Sequence, residues 1–335
     1  MSSELEEMAA SVFADAWDTA ATGLDTELWK TCEQTGLARL TLPEAAGGSE
    51  GTLTDAAAVL RMAGRYGARV PLVETDLLGG WLLHAAGLEV PTGPLSAILA
   101  PGLVLEGDRA SGTLHRVPWG RSVGGVVALV GDRVVLVDPA SAQVTEGANV
   151  VEEPRDTLVL ADAAVTVGTA PSEVVVEFPL RAALGRALLI AGATHAALAM
   201  SVQYSTERVQ FGRPIAKLQA IQQTLALAAA EVAAAEAVSE AAAGEAARHG
   251  FAEASLPIAA AKARCGEAAG VVARIAHQVH GAIGFTREHA LRIATTRLWA
   301  WRDEDGTEAQ WNDRVGARAL EVGPEGLWAL LTGSP

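Results

Sequence analysis

Cysteine is almost missing from this 335-residue chain: Cys32 and Cys265 are the two it has, in separate regions. No CxxC pair and no Cys/His ligand spacing occurs, so no structural zinc or other metal is expected. A reduced cytoplasm is the natural compartment for such a chain. Charge is also sparse. Only 19% of residues are charged, and the formal net charge is -15. The phosphate backbone would repel this surface, so nucleic acid is not an expected partner. Prolines number 14 against 34 glycines, and no low-complexity tail is present. Disorder is therefore not expected beyond the ends. A long uncharged apolar run is lacking too. The most apolar long segment, "LAAAEVAAAEAVSEAAAGEAA", carries Glu at repeated positions and cannot span a membrane. The start, "MSSELEEMAASVF", has no basic region leading into an apolar core, so no signal peptide is expected.

What is present falls into three textures. Residues 1–97 are helical in pattern, with "ELEEMAASVFADAWDTA", "TELWKTCEQTGLA" and "TLTDAAAVLRMAGRYGA" as amphipathic segments. Thr52, Thr54 and Asp55 suit a helix N-terminus. Residues 98–177 switch to period two and β-branched runs, such as "VGGVVALVGDRVVLVDP", with "GDR" as a hairpin signal. They predict a small, mainly antiparallel β domain. Residues 178–335 are Ala-rich with long helical periodicity, broken by short Pro/Gly turns, which predicts an up-down bundle. The fold class is mainly α with a small central β domain.

Two segments make this order of domains specific. "RVQFGRPIAKLQAIQQTLA" resembles the acyl-CoA dehydrogenase pattern of Arg, Phe-Gly, Gln and Leu-Ala along the first two C-terminal helices. "QVHGAIGFTREHALRIATTRLWAWRDEDGT" resembles the later family segment, from a Gln-x-x-Gly-Gly loop to a Gly-Thr turn. Together they cover most of residues 181–312. The resemblance implies an N-terminal helical domain, a β-barrel-like middle domain and a C-terminal four-helix bundle. It also implies FAD lying between the β domain and the bundle and reaching a neighbouring subunit. Residue by residue, Arg208, Gln210, Phe211 and Gln219 fall on FAD-contacting positions. Gln278, Val279, His280, Gly281 and Ala282 fall on the loop that meets the FAD of the other subunit, and Thr307 on a further contact. These types suit the task, because a pyrophosphate wants a guanidinium and N–H donors, and a flat ring wants Phe and close backbone. Taken alone, Arg208 would read as a solvated charge and Gln219 and Gln278 as inter-helix hydrogen-bonding residues. His280 reads as a packed residue and Gly281 as a helix C-cap.

The family's reaction is α,β-dehydrogenation of an acyl-CoA thioester, with a desolvated carboxylate as base. The resemblance offers two positions for it. One precedes the Gly-Thr turn and is Asp305 here, one methylene short of the family's Glu. The other lies in the third bundle helix and falls on Glu267, the expected base, with Asp305 and Glu304 as runners-up. From residue pattern alone, a Glu in an Ala-rich helix belongs on its solvent face. Electrons would pass to an electron-transfer flavoprotein. The departures lie mostly in the β zone, which is short and lacks the Thr-Glu-Pro and Gly-Ser-Asp elements. Trp119, in "LHRVPWGRS", reads either as an aromatic near the flavin or as a half-buried strand residue. The loop's second glycine is Ala282, and a Gln expected after Thr307 is Ala309. These departures resemble one chain of the α2β2 heterotetrameric dehydrogenases of steroid degradation, whose FAD sites are composite. The leading expectation is an enzyme subunit acting on a bulky acyl-CoA, paired with itself or a homologue. The alternative is a non-catalytic partner that completes a homologue's FAD site.

Overall fold

The computed structural model describes residues 2–14 and 22–332. Three short helices open the chain: α1 (Ser2–Phe13), α2 (Thr26–Gln34) and α3 (Leu53–Tyr66). The rest of the first amphipathic segment, 15–20, lies outside the described residues. Helix α2 starts where the Asp25 carboxylate accepts the Leu28 N–H, and α3 starts at a reciprocal capping box of Thr52 and Asp55. A π-helix, Val73–Gly80, then runs directly into α4 (Trp81–Ala85). Every residue of the π-helix is buried, including Glu74 and Asp76. Such wide turns concentrate at functional sites because they displace side chains from ordinary helical register.

The strands are β1 (Leu95–Leu99), β2 (Val104–Glu106), β3 (Arg109–Pro118), β4 (Gly125–Val130), β5 (Arg133–Val137), β6 (Gln143–Thr145) and β7 (Arg155–Thr169). They are ordered β1-β4-β5-β7-β3-β2, with β6 also on β7. The β1–β4 pair is parallel and the others are antiparallel. The hairpin signal is realised at Gly131, whose φ of +62° is a conformation glycine adopts without penalty. Val126, Ala128, Val135 and Val137 face a β core, while Val127, Leu129 and Val134 face the helices. Strands β4 and β5 are thus buried on both faces, which explains their continuous valine runs.

The remaining helices are α5 (Glu173–Glu207), α6 (Gln219–His249), α7 (Ser255–His280), α8 (Ala290–Trp301) and α9 (Glu308–Thr332). A small hairpin, β8 (Val209–Gln210) with β9 (Arg213–Pro214), links α5 to α6. Small residues let these helices touch backbone to backbone. A Cβ on Gly192 of α5 would stand 1.9 Å from the Arg61 carbonyl of α3, and one on Gly64 2.1 Å from the Leu189 carbonyl. Among the described residues no helix is long and apolar enough to cross a membrane.

Candidate functional site: a buried ionic corner and an exposed helix-end surface

The turn between α8 and α9 is held from below. Lys262, fully buried on α7, donates from Nζ to the carbonyls of Arg302 (2.9 Å) and Gly306 (2.7 Å). Burial pulls its ammonium down to about 8. Trp311 Nε1 donates to the Asp305 carbonyl at 2.9 Å. These anchors keep Asp305 in the left-handed region, at φ +56°. Thr307 is occupied with α9: its N–H donates to Gln310 Oε1 at 2.8 Å, and its Oγ1 accepts the Gln310 N–H at 3.4 Å.

Above this turn, side chains from four regions form one ionic network. Arg186 of α5 donates to Asp305 (2.8 Å) and to Glu74 of the π-helix (3.1 Å), and lies 3.4 Å from Glu304. Arg155, at the start of β7, clamps Glu304 with two bonds of 2.8 Å and reaches Glu153 at 3.2 Å. Arg297 lies 3.4 Å from Glu153, and Asn149 joins Glu153 to Glu304 at 3.0 and 3.1 Å. Burial alone would raise the Glu304 carboxyl, but the charges of Arg155 and Arg186 outweigh it and bring it down to about 2. The four carboxylates Glu74, Glu153, Glu304 and Asp305 share the three guanidiniums of Arg155, Arg186 and Arg297. Glu74 is the one that burial pushes upward, against the pull of Arg186. Trp119 is neither strand-borne nor half-buried: it is 4% exposed, in a left-handed turn after β3, and lines a small cleft with Glu74, Glu153, Arg186 and Trp301.

Two adjoining cavities meet at Asp305. One, of about 310 Å³, is lined by β1, Arg116, Pro118 and the ionic network. The other, of about 480 Å³, is lined by Phe178, Pro179, Ala182, Trp311 and Arg314. Leu99 and Phe178 also belong to both. Most of the charged groups buried at this corner are paired with one another, and Arg297 Nε is the member of the network without a hydrogen-bond partner.

Glu267 is not in this corner. Its side chain is 47% exposed, 3.4 Å from both Arg264 and Asn312, and it lines neither cavity. Glu267, the expected base, is therefore half exposed in the single chain and apart from the Asp305 corner. A base for a weakly acidic C–H must be desolvated, and Glu267 is in solvent.

The other predicted residues gather at the opposite end of the bundle. Arg208 caps the C-terminus of α5, Gln210 and Phe211 are on the β8–β9 hairpin, and Gln219 begins α6. All four are exposed; Phe211 is 87% exposed, at φ +53°. Gln278, Gly281 and Ala282 are exposed at the end of α7. Val279 is buried against Ile215, which ties this turn to the hairpin side. His280 is buried, with Nδ1 2.9 Å from the Ala276 carbonyl and its ring stacked on Tyr204 at 4.4 Å. That is a packed histidine at a helix C-terminus, as Gly281 at φ +65° is a helix cap. The eighteen helical steps of α7 from Lys262 to His280 separate the two ends by roughly 27 Å. Thr307 is the one predicted contact at the Asp305 end.

The sequence reading missed Glu74, Arg155, Arg186 and Lys262. A signal was available for three of them: the runs "PLVETDLLGG", "LRAALGRALLIAGA" and "LPIAAAKAR" each set two charges among apolar residues, and a charge buried in such a run is a paired one. Arg155 carried none.

Comparison with known proteins agrees with this architecture. The family model of the acyl-CoA dehydrogenase C-terminal domain matches residues 180–319, and that of the N-terminal domain residues 3–90. Acyl-CoA dehydrogenase IpdE2 of Mycolicibacterium smegmatis is 32% identical over 285 residues, 81% of each chain. IpdE2 of Mycobacterium tuberculosis is 31% identical, over 81% of this chain and 80% of that one. Among solved structures, a chain of the ChsE4-ChsE5 complex from Mycobacterium tuberculosis superposes with a TM-score of 0.86 at 23% identity, covering 96% of this chain and 98% of that one. The Tcur3481-Tcur3483 steroid ACAD superposes with a TM-score of 0.82 at 24% identity, covering 95% and 97%. The chain belongs to the acyl-CoA dehydrogenase family of enzymes.

Proposed function

We propose that this chain is one subunit of a hetero-oligomeric, FAD-dependent acyl-CoA dehydrogenase, in which it completes a flavin site held mainly by a homologous chain. The observation that carries this reading is the separation of roughly 27 Å between the Asp305 corner and the Arg208/Gln278 surface. One flavin held by one chain does not reach both. The helix-end surface suits a cofactor presented from outside: Arg208 and Gln210 are exposed, and Arg208 has no ion pair among the described residues. Val209, Phe211, Ile283 and Phe285 beside them are exposed apolar side chains that a partner chain would cover. The Asp305 corner is self-paired, which argues against a homodimer in which every copy also holds its own flavin ring. When bound, FAD supplies the hydride acceptor for α,β-dehydrogenation of the thioester. This chain's part is to bind and orient: Arg208 neutralises pyrophosphate charge, Gln210, Gln219 and Gln278 offer amide donors, and Phe211 covers the ring system. Re-oxidation passes to an electron-transfer flavoprotein. The substrate class is a bulky acyl-CoA, steroid side-chain esters included, by likeness to the relatives named above.

A second reading has one observation in its favour. Asp305 is the carboxylate at which the two cavities meet, as a base would be, although Arg186 holds it at 2.8 Å. The test is co-purification with a homologous chain, followed by FAD content and ferrocenium-linked turnover. Arg208→Ala should weaken FAD retention about tenfold or more, the scale of a lost charge-assisted hydrogen bond. Asp305→Asn and Glu267→Gln should leave turnover in place. If Asp305→Asn abolishes turnover while FAD stays bound, the second reading holds instead.

A further inference from the structure

Glu74, Asp76, Glu153 and Asp156 are the carboxylates no more than 4% exposed among the described residues. Three have a guanidinium at ion-pair distance: Glu74 has Arg186, Glu153 has Arg155 and Asp156 has Arg121. Asp76 has none among the described residues. Its Oδ1 accepts from the N–H and the Oγ1 of Thr41, each at 3.0 Å. A buried carboxylate held by neutral donors is costly to ionise. Burial accordingly raises Asp76 to about 7, so its charge changes close to neutral pH.

The cation whose field reaches Asp76 is Arg181 of α5. Arg181 is held elsewhere. Its guanidinium carbon is 3.9 Å from the Trp81 ring centre and 4.1 Å from that of Phe251. Glu177, one helical turn back, accepts from its Nε at 3.1 Å. No other charge competes for Asp76. Strand β1 and helix α4, which pack on the π-helix, bring Ser96 and the exposed His84. Glu74, two residues away, is tied to Arg186, which also serves Glu304 and Asp305.

The helix that carries Arg181 is the second observation. Pro179 lies inside α5 and has no N–H to give the Val175 carbonyl. The turn around it is therefore less constrained than the rest of the helix. Phe178, Pro179 and Ala182 of this turn line the cavity of about 480 Å³. A force on Arg181 thus acts on the backbone beside Ala182, at the cavity wall.

We propose that Asp76 and Arg181 form a proton-operated latch on this wall: protonated Asp76 leaves Arg181 on Glu177 between Trp81 and Phe251, and ionised Asp76 draws it away and shifts the Phe178–Ala182 turn. The step is the loss of one proton from the Asp76 carboxyl to water. It leaves a buried anion that a guanidinium balances better than a hydroxyl does. The first test is tryptophan fluorescence of the full chain, followed through neutral pH. The wild type should show a step with its midpoint at about 7. Asp76→Asn cannot ionise and should show none. Trp81→Phe keeps a ring beside Arg181 but removes the reporter, so the step should vanish there too.

The second test reads the wall itself. Cys32 and Cys265 are buried, and burial pushes both thiols up to about 12, so Ala182→Cys supplies the thiol that a maleimide labels. Its labelling rate, divided by that of the same variant carrying Asp76→Asn, should be constant below the midpoint and change severalfold above it. A wild-type chain without the step, a step that survives in Asp76→Asn or in Trp81→Phe, or a rate ratio flat through neutral pH overturns the latch. Neither readout needs bound flavin, so both stand apart from Arg208→Ala, which tests the proposed function.

Discussion

At the scale of single residues, the chain is organised by carboxylates that it buries. Glu304 is the keystone of the ionic network, bound twice by Arg155 and close to Arg186. Replacing it by Gln leaves two buried guanidiniums short of a counter-charge, which should cost about 3–5 kcal/mol in urea unfolding. The pH dependence follows from its depressed carboxyl, about 2 in the folded chain against an ordinary 4.5. Its contribution is present above pH 4.5 and is lost as pH falls toward 2, so Glu304→Gln should also flatten that acid limb. Asp76 behaves oppositely. Burial raises its carboxyl from 3.8 to about 7, against hydrogen bonds from the N–H and Oγ1 of Thr41, each 3.0 Å. The folded chain therefore holds a proton that the unfolded chain has released. That contribution is full below 3.8 and is lost as pH rises through 7. Asn at this position keeps the acceptor oxygen and cannot ionise. Asp76→Asn should match the wild type near pH 4 and exceed it in stability near pH 8. Parallel stability curves across that range would contradict the assignment.

At the scale of elements, close backbone approach decides what the sequence can vary. Gly192→Ala would drive a methyl into the Arg61 carbonyl, and the rigid α3–α5 contact gives no room. Gly244 sits inside α6, within its last two turns, with only the tip of Arg248 within 4 Å. Gly192→Ala should lower the urea midpoint strongly, while Gly244→Ala should raise stability by about 0.5–1 kcal/mol through helix propensity. Elements of this kind were legible in the sequence. Long Ala-rich helices, the capping box at Thr52 and the Gly131 hairpin follow from local rules. The family segments at Arg208 and Gln278 could be placed by pattern. What could not be read was which face each charge turns to. Glu267 and Lys262 are five residues apart on α7, yet one is in solvent and the other wholly buried. That difference is set by α9 and the 302–306 turn, which come later in the chain. The π-helix at Val73–Gly80 was invisible for a similar reason: its register is fixed by Thr41 and Arg186 from elsewhere in the fold.

At the scale of the whole molecule, the two ends of the bundle have been put to different uses. The Asp305 end carries ion pairs made within the chain beside its two cavities, while the Arg208 and Gln278 end is apolar at its rim and free of carboxylates in the cavity that Gln278 lines. Under the proposed function, a chain built this way contributes to a cofactor it does not hold alone. The measurement that tests this most directly is the FAD-to-protein ratio of the complex formed with a homologous dehydrogenase chain, from flavin absorbance against chain content. The account predicts one FAD for each pair of unlike chains and little or none on this chain purified alone. One FAD for every chain, with this chain alone fully loaded, would contradict it.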